Sequence, residues 1–501
     1  MSELLKLQNG SDVRGVALKT QTEEITINEQ IAYNITRSFA RLVKVKYIKK
    51  EEDKIFSATV GMDSRLSGPA LKQAVLGGFA DEGFTVYDAA LTSTPAIFMS
   101  TIYEEINADC GIMITASHLP YNRNGMKFFL KEGGINKDLL KEVLLNAQNT
   151  LPVQNKGSIK SLELTEIYSD YLTDIIKKRT KQQRPFEGKR IIVDAGNGAG
   201  GFFTSILTRL GANTEGSLYL EPDGMFPNHI PNPENKAVMK EFSKKVLNAK
   251  ADLGIIFDTD VDRAAFVDKS GRIIAKNALV ALMSVIVVGE REKSVIVTDS
   301  VTSTALSEFI ASIGGIHHRF KRGYKNVIDE AIRLNDKEVY TPIAIETSGH
   351  CALKENFFLD DGAYMAVKIL IFFAEMTKKG KILSDAISML REPVESVEVR
   401  GKILKKDFRE YGEVILDAFK TYAKNKEGWK IEVPSYEGVR VLTDRQNGDG
   451  WILMRLSLHD PQIVINMESD KEGGIAQMVR EIELSVSEFD AFKIDFEKDK
   501  K

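Results

Sequence analysis

Two cysteines in 501 residues, Cys110 and Cys351, supply no disulfide framework and no zinc-ligand spacing, which fits a reducing, cytoplasmic setting. Charge of one sign is also lacking: 68 basic against 71 acidic residues leave a formal net charge of -3, with no footprint for a nucleic-acid partner. Long apolar runs are missing too. The longest, Ala278 to Val288, is too short to cross a bilayer core of about 30 Å as a helix. The first residues, MSELLKLQNG, have no basic region followed by an apolar one, so neither export nor membrane insertion is expected. No Gly-x-Ser-x-Gly occurs, which removes the nucleophile elbow of α/β hydrolases. Small-molecule chemistry is what these absences leave.

The 43% hydrophobic and 28% charged content is that of a globular chain. At roughly 100 to 150 residues per domain the length implies three or four domains. Three segments begin alike, ATVGMDSRLSGPALKQAVLGG, RIIVDAGNGAGGFFTSILTRLG and SVIVTDSVTSTALSEFIASIGG. Each reads as a strand, an Asp (Asp63, Asp194, Asp299) and a helix stopped near Gly83, Gly211 or Gly314, where glycine accepts the left-handed C-cap conformation. Further on, each unit has a second apolar strand ending in polar residues: ADCGIMI before TASH, ADLGIIF before DTDVDR, TPIAI before ETSGH. Near-continuous apolar strands alternating with helices predict three tandem, similar α/β domains with mixed, largely parallel sheets. The last hundred or so residues alternate apolar and polar positions, as in WILMRLSLHDPQIVINMES, and predict a C-terminal α+β domain. The expected boundaries are 1–160, 161–271, 272–390 and 391–501. Ligands of open α/β sheets gather beyond the carboxyl ends of strands, so the polar loops are expected to share a central cleft.

DTDVDR spaces Asp258, Asp260 and Asp262 two apart, and in extended backbone their carboxylates would point to one side. Three such anions call for a hard cation with oxygen ligands, Mg²⁺ above all. A solvated acidic turn is the plainer account of the loop taken alone. An EF-hand is excluded, because Arg263 stands at its sixth position and Lys269 at its twelfth, and AAFVD reads as a return strand. GNGAGG, Gly196 to Gly201, has the Gly-x-Gly-x-x-Gly form, but SRLSGP and SVTSTA stand at the same place in the other repeats, so its glycines are read as backbone-fitting. In ETSGH, Glu346 and Ser348 pair an acceptor with a donor beside His350, a set suited to vicinal hydroxyls; surface charge is the alternative. In RLSLHDP, Arg455, Ser457 and His459 offer a guanidinium fork and a hydroxyl to a phosphate, or else a solvated cation. His229, His317 and His318 are expected to be turn or surface residues.

The stretch ITASHLPYNRNGMKFF places Ser117 beside His118, yet adjacent residues rarely face each other as nucleophile and base. Asn124 and Gly125 are expected to shape a turn that returns Lys127 toward the serine.

In this order, TASH, DTDVDR, ETSGH and an Arg-x-Ser loop resemble the α-D-phosphohexomutase superfamily, the phosphoglucomutases and phosphomannomutases. The likeness extends over essentially the whole chain, through DVRG (Asp12 to Gly15), GMDSRLS (Gly61 to Ser67), PDGMFPNHIPNPE (Pro222 to Glu234) and DDGAY (Asp360 to Tyr364). It implies an intramolecular phosphotransferase that interconverts the 1- and 6-phosphates of glucose or mannose through a hexose 1,6-bisphosphate, which is also the activator. Ser117 would carry the phosphoryl group and, with Asp258, Asp260 and Asp262, bind Mg²⁺. Arg14, His118 and Lys127 would line the transfer site, with Arg263 as a neighbouring cation. Glu346, Ser348 and His350 would hold the sugar, and Arg455, Ser457 and His459 the phosphate that is not reacting. The partners implied are hexose phosphates, on a monomer or homodimer. Alternatives are a noncatalytic sugar-phosphate-binding protein on this fold, a phosphoglucosamine mutase, and a phosphoserine hydrolase. The chain departs from the common pattern at Leu119 (usually Asn), at Ile345 (usually Gly) and at Ser-Leu-His-Asp-Pro, where Gly and Thr are usual and His459 is the substitute donor.

Overall fold

The computed structural model describes residues 3–47, 54–148, 152–153, 156–457 and 460–495. They form two compact units, residues 1–279 with 348–385, and residues 280–347 with 386–501.

The first unit opens with β1 (Asp12–Val16), β2 (Ser57–Met62), α1 (Gly68–Ala80), β3 (Thr85–Leu91), α2 (Thr94–Met99), β4 (Cys110–Ile114) and β5 (Arg123–Leu130). Across the sheet their order is β1-β5-β4-β2-β3, with β2 parallel to β3 and β4, and β5 antiparallel to β4 and β1. Every residue of CGIMI in β4 is buried, as a strand covered on both faces requires. Phe39 packs its ring edge-on to Phe79 and Phe128, with centroids 6.2 and 5.0 Å away. Each such ring contributes about 1.5–3 kcal/mol through burial.

The second repeat supplies β6 (Ile191–Asp194), α3 (Phe203–Arg209), β7 (Leu253–Phe257) and β8 (Ala264–Asp268). β7 runs parallel to β6 and antiparallel to β8, the return strand expected after DTDVDR.

In the second unit, β9 (Val295–Thr298) is followed by α4 (Thr304–Ser312) and lies between β10 (Ile316–Arg319) and β11 (Ile343–Ile345), parallel to both. Ser303 caps α4 by accepting the Leu306 N–H at 2.9 Å. Beyond α1, α3 and α4, Gly83, Gly211 and Gly314 have φ of 80°, 93° and 85°, the left-handed stop predicted for each repeat. Residues 395–493 build an all-antiparallel six-stranded sheet whose centre is β12 (Val439–Thr443), β13 (Gly450–Leu456) and β14 (Gln462–Ser469), the expected α+β domain. Among the described residues, no helix is long and apolar enough to cross a membrane.

Two details depart from the sequence-based expectations. Asn124 and Gly125 lie inside β5, with Gly125 opposite Arg14, and the turn itself falls before Arg123. A Cβ on Gly125 would sit 2.0 Å from the Val13 carbonyl oxygen, so the glycine serves close strand contact. The three histidines set aside as turn or surface residues all have side-chain partners. His229 Nε2 lies 3.0 Å from Asp194, His317 sits between the hydroxyls of Thr298 and Ser307 at 2.7 Å each, and His318 meets Glu330 at 2.8 Å.

Candidate active site

Ser117 follows β4 with φ of 48°, a left-handed conformation that costs a non-glycine residue about 1–3 kcal/mol. Its N–H donates to Thr115 Oγ1 at 2.9 Å, and Thr115 Oγ1 donates to Asp63 Oδ2 at 2.7 Å. The first repeat's Asp thus latches the loop at the end of the neighbouring strand. In the third repeat Asp299 Oδ2 accepts from Thr347 Oγ1 at the same 2.7 Å. Held this way, the buried Ser117 hydroxyl donates to Asp260 Oδ1 at 2.9 Å.

Asp258, Asp260 and Asp262 each present an oxygen, all within 4.8 Å of one another, and all three are buried. Their convergence does not come from extended backbone: Val261, at φ 67°, turns the loop over, and β8 begins at Ala264. Around the triad, Arg263 Nε donates to Asp258 at 3.0 Å and Thr94 Oγ1 to Asp260 at 2.5 Å, while Lys127 Nζ bonds Asp262 and lies 3.2 Å from Asp260. GNGAGG supports the loop from behind. Ala199 N–H donates to the Thr259 carbonyl at 2.8 Å, and a Cβ on Gly198 would lie 2.6 Å from that oxygen. The glycines are therefore backbone-fitting, as read from the sequence.

Burial raises the affinity of every one of these carboxylates for a proton, but the neighbours divide them. Burial and the adjacent Asp262 push Asp258 well above the carboxylate range. Against the same burial, Lys127 and Arg263 hold Asp262 below it, and Lys127 does the same for Asp260. Asp262 Oδ1 is buried with no hydrogen-bond partner among the described residues. An all-oxygen cluster with an unsatisfied carboxylate oxygen fits a hard cation.

The sequence-predicted neighbours converge here. His118 turns away from Ser117 and accepts from Arg263 Nη2 at 2.6 Å through Nδ1, so the neutral ring carries its proton on Nε2. Burial and Arg263 lower its pKa to about 3. Arg263 also lies 3.6 Å from Glu234. Arg14 donates to the Thr115 carbonyl and to Asp12 at 2.7 Å. His350 pairs with Arg263 across a β-bridge, its Nε2 3.8 Å from Asp262 Oδ1 and its Nδ1 2.9 Å from Ser348 Oγ. Burial lowers His350 to about 3 as well.

Glu346, Arg455 and Ser457 belong to the second unit. Glu346 Oε1 accepts the Gly323 N–H at 2.6 Å. The preceding amide, of Arg322, donates to Glu437 at 3.1 Å, and Glu437 lies 3.6 Å from Arg455. Consecutive N–H groups thus tie Glu346 to the Arg455 neighbourhood. A cavity of about 390 Å³ beside them is lined by Lys321, Arg322, Tyr436, Glu437 and Ser457. His459 lies outside the described residues. Sequence reasoning gave no role to Arg65, Thr94, Arg322 or Glu437. Only Arg65 had a signal, its place two residues after the repeat Asp.

The sequence matches three consecutive family descriptions: phosphoglucomutase/phosphomannomutase alpha/beta/alpha domain I over residues 5–150, domain II over 166–271 and domain III over 275–392. The chain belongs to the phosphoglucomutase/phosphomannomutase family. A phosphoglucomutase/phosphomannomutase of Thermococcus kodakarensis is 31% identical over 479 residues, 93% of this chain and 95% of that protein. A phosphoglucomutase of Neisseria gonorrhoeae is 27% identical over 471 residues, covering 93% and 94%. The crystal structure of a phosphoglucomutase/phosphomannomutase family protein from Burkholderia thailandensis shares the fold, with a TM-score of 0.80 at 24% identity over 99% of this chain and all of that one.

Proposed function

We propose that the chain is a phosphohexomutase that moves a phosphoryl group between O1 and O6 of glucose or mannose phosphate by way of Ser117. The observation that carries this is the Ser117 hydroxyl, strained, buried and 2.9 Å from a carboxylate of a three-aspartate cluster. A plain structural serine has no need of that neighbourhood, whereas a phosphoserine does. Its roughly -1.5 to -2 charges beside three carboxylates demand cations.

Asp258, Asp260, Asp262 and phospho-Ser117 would hold Mg²⁺, which when bound supplies Lewis-acid neutralisation of the transferring phosphoryl oxygens. The chain's own groups do the rest. Burial opposes the charge on Lys127, but Asp260 and Asp262 outweigh it and keep the ammonium protonated, a fixed cation at the transfer site. His118, neutral with its proton on Nε2, offers a donor. A free sugar hydroxyl attacks the phosphoserine in line; the O–P bond to Ser117 Oγ breaks as the bond to the sugar oxygen forms, and the proton lost by the sugar hydroxyl is made up on Ser117 Oγ, which leaves as the neutral serine hydroxyl. The bisphosphorylated sugar turns over and returns its other phosphoryl group to Ser117. Glu346, Ser348 and His350 hold sugar hydroxyls, and Arg455 and Ser457 hold the distant phosphate.

A coupled assay with glucose 1-phosphate or mannose 1-phosphate, Mg²⁺ and a hexose 1,6-bisphosphate tests this. Intact mass should place one phosphate on Ser117, and Ser117→Ala should abolish turnover. An unaffected variant overturns the proposal.

A further inference from the structure

Arg65 is among the most deeply buried side chains of the first unit, 1% exposed. A guanidinium has five N–H groups in a fixed planar fork, and here each has an acceptor. Nε donates to Asp63 Oδ2 at 3.2 Å. One terminal nitrogen donates to the carbonyls of Pro120 at 2.7 Å and Arg123 at 3.0 Å, and the other to those of Ser117 and of Leu119 at 2.7 Å. Four carbonyls of one loop, from Ser117 to the first residue of β5, thus converge on one cation. No donor is left over for a ligand anion.

The loop needs such a centre. It leaves β4 with Ser117 left-handed, and its other ties lie mainly at its ends: Ser117 N–H donates to Thr115 Oγ1 at 2.9 Å, and the Asn122 carbonyl accepts the Ala17 and Leu18 amides at 2.8 and 3.1 Å, with Leu119 N–H to Ala116 and Arg123 N–H to Pro120, 3.0 Å each, as the turn's own bonds. The centre is itself clamped. Phe226 lies with its ring 5.2 Å from the Arg65 guanidinium, and a Cβ on Gly224 would come within 2.8 Å of Arg65 Cα. PDGMF, after the second repeat's helix, therefore closes over the arginine that shapes the first repeat's loop.

We propose that Arg65 is a positioning residue of the Ser117 loop: it touches no reacting atom, and, beyond the Asp63–Thr115 latch at the loop's start, it fixes the backbone conformation that aims Ser117 Oγ at the aspartate cluster. The inference rests on Ser117 being the phosphoryl carrier. A lysine cannot replace it, because an ammonium has three donors and no fork.

The test is single-turnover transfer from glucose 1,6-bisphosphate to dephosphorylated enzyme, followed by intact mass, alongside steady-state KM for glucose 1-phosphate. Arg65→Ala and Arg65→Lys should each slow transfer about 100-fold, the scale of a 1 Å misplacement. KM should stay within about threefold, since ground-state binding is untouched. Guanidinium ion, below its denaturing range, should restore Arg65→Ala by about tenfold, and methylammonium should not. Arg65→Lys at the wild-type rate, or a raised KM with an unchanged rate, overturns the proposal. If neither Arg65 variant folds, Phe226→Ala decides: slowed transfer at constant KM supports the assignment, and an unchanged rate overturns it. An active Ser117→Ala would instead bring down the phosphoryl-carrier reading, so the two failures are distinct.

Discussion

Glu437 holds Arg455 by a carboxylate-to-guanidinium contact of 3.6 Å, with side-chain exposures of only 12% and 9%. The other carboxylate oxygen is fully engaged, accepting from Ser300 Oγ at 2.5 Å and from the Arg322 amide at 3.1 Å. Arg455 Nε is buried with no acceptor among the described residues. Hydrogen bonds to charged groups are worth about 1.5–3 kcal/mol, so Arg455→Ala should raise KM about 10- to 100-fold with a smaller change in kcat. Glu437→Gln should raise KM less. Because the two act as one unit, the double variant should bind no worse than Arg455→Ala alone, a non-additivity that steady-state kinetics on the four proteins will show.

Thr94, first residue of α2, bonds Asp260 through both its hydroxyl, at 2.5 Å, and its amide, at 2.9 Å. Thr94→Val keeps the shape and removes the hydroxyl. Groups that orient metal ligands typically contribute about 10- to 100-fold in affinity. A Mg²⁺ titration of activity should shift to higher concentration by that order, with the melting temperature nearly unchanged.

Gly198 has no room for a methyl group: the Thr259 carbonyl oxygen is 2.6 Å from where its Cβ would stand. Gly198→Ala should therefore destabilise the protein by about 1–3 kcal/mol through overpacking. It should weaken metal binding as well, because the displaced residue lies between two of the aspartates. Gly10→Ala, where open space surrounds the Cβ position, should show no metal defect. Thermal unfolding with and without Mg²⁺ separates the two.

His229 and Asp194 make a pH-dependent contribution to stability. Burial disfavours the imidazolium, but the hydrogen bond and charge of Asp194 outweigh it, and the folded pKa is raised above the ordinary 6.5. A histidine raised on folding stabilises fully below the unfolded value, and the contribution fades as pH climbs through the folded value. His229→Asn should lower the melting temperature more at pH 6 than at pH 9. Equal losses at both would show that the pair contributes only as a neutral hydrogen bond.

Much of this was legible in the sequence because chain-local signals carried it. Asp followed by helix and glycine stop marked the three repeats, and apolar strands ending in TASH, DTDVDR and ETSGH marked where polar groups would be presented. What stayed hidden depended on contacts distant in the chain. Arg65 meets its loop carbonyls more than fifty positions away, and Thr94 reaches Asp260 across 166. The aspartate spacing was read as extended strand because Val261, a β-branched residue, is a poor sequence signal for a left-handed turn. His317 looked unremarkable until β9 placed Thr298 beside it.

The Asp-to-Thr latches of the first and third repeats carry an architectural consequence. Asp63 with Thr115 and Asp299 with Thr347 set the start of a loop from outside it, leaving the residues that follow at liberty to differ: Ala-Ser-His in one, Ser-Gly-His in the other. The second repeat has let that fastening go. Asp194 is taken by His229, and the Thr259 hydroxyl, buried, finds no partner among the described residues. Its loop is gripped instead by the glycine-rich turn. The same scaffold thus tolerates two kinds of foundation beneath its working loops. Transplanting the loop residues between the first and third repeats should preserve their shape, whereas a transplant into the second should need its glycines as well.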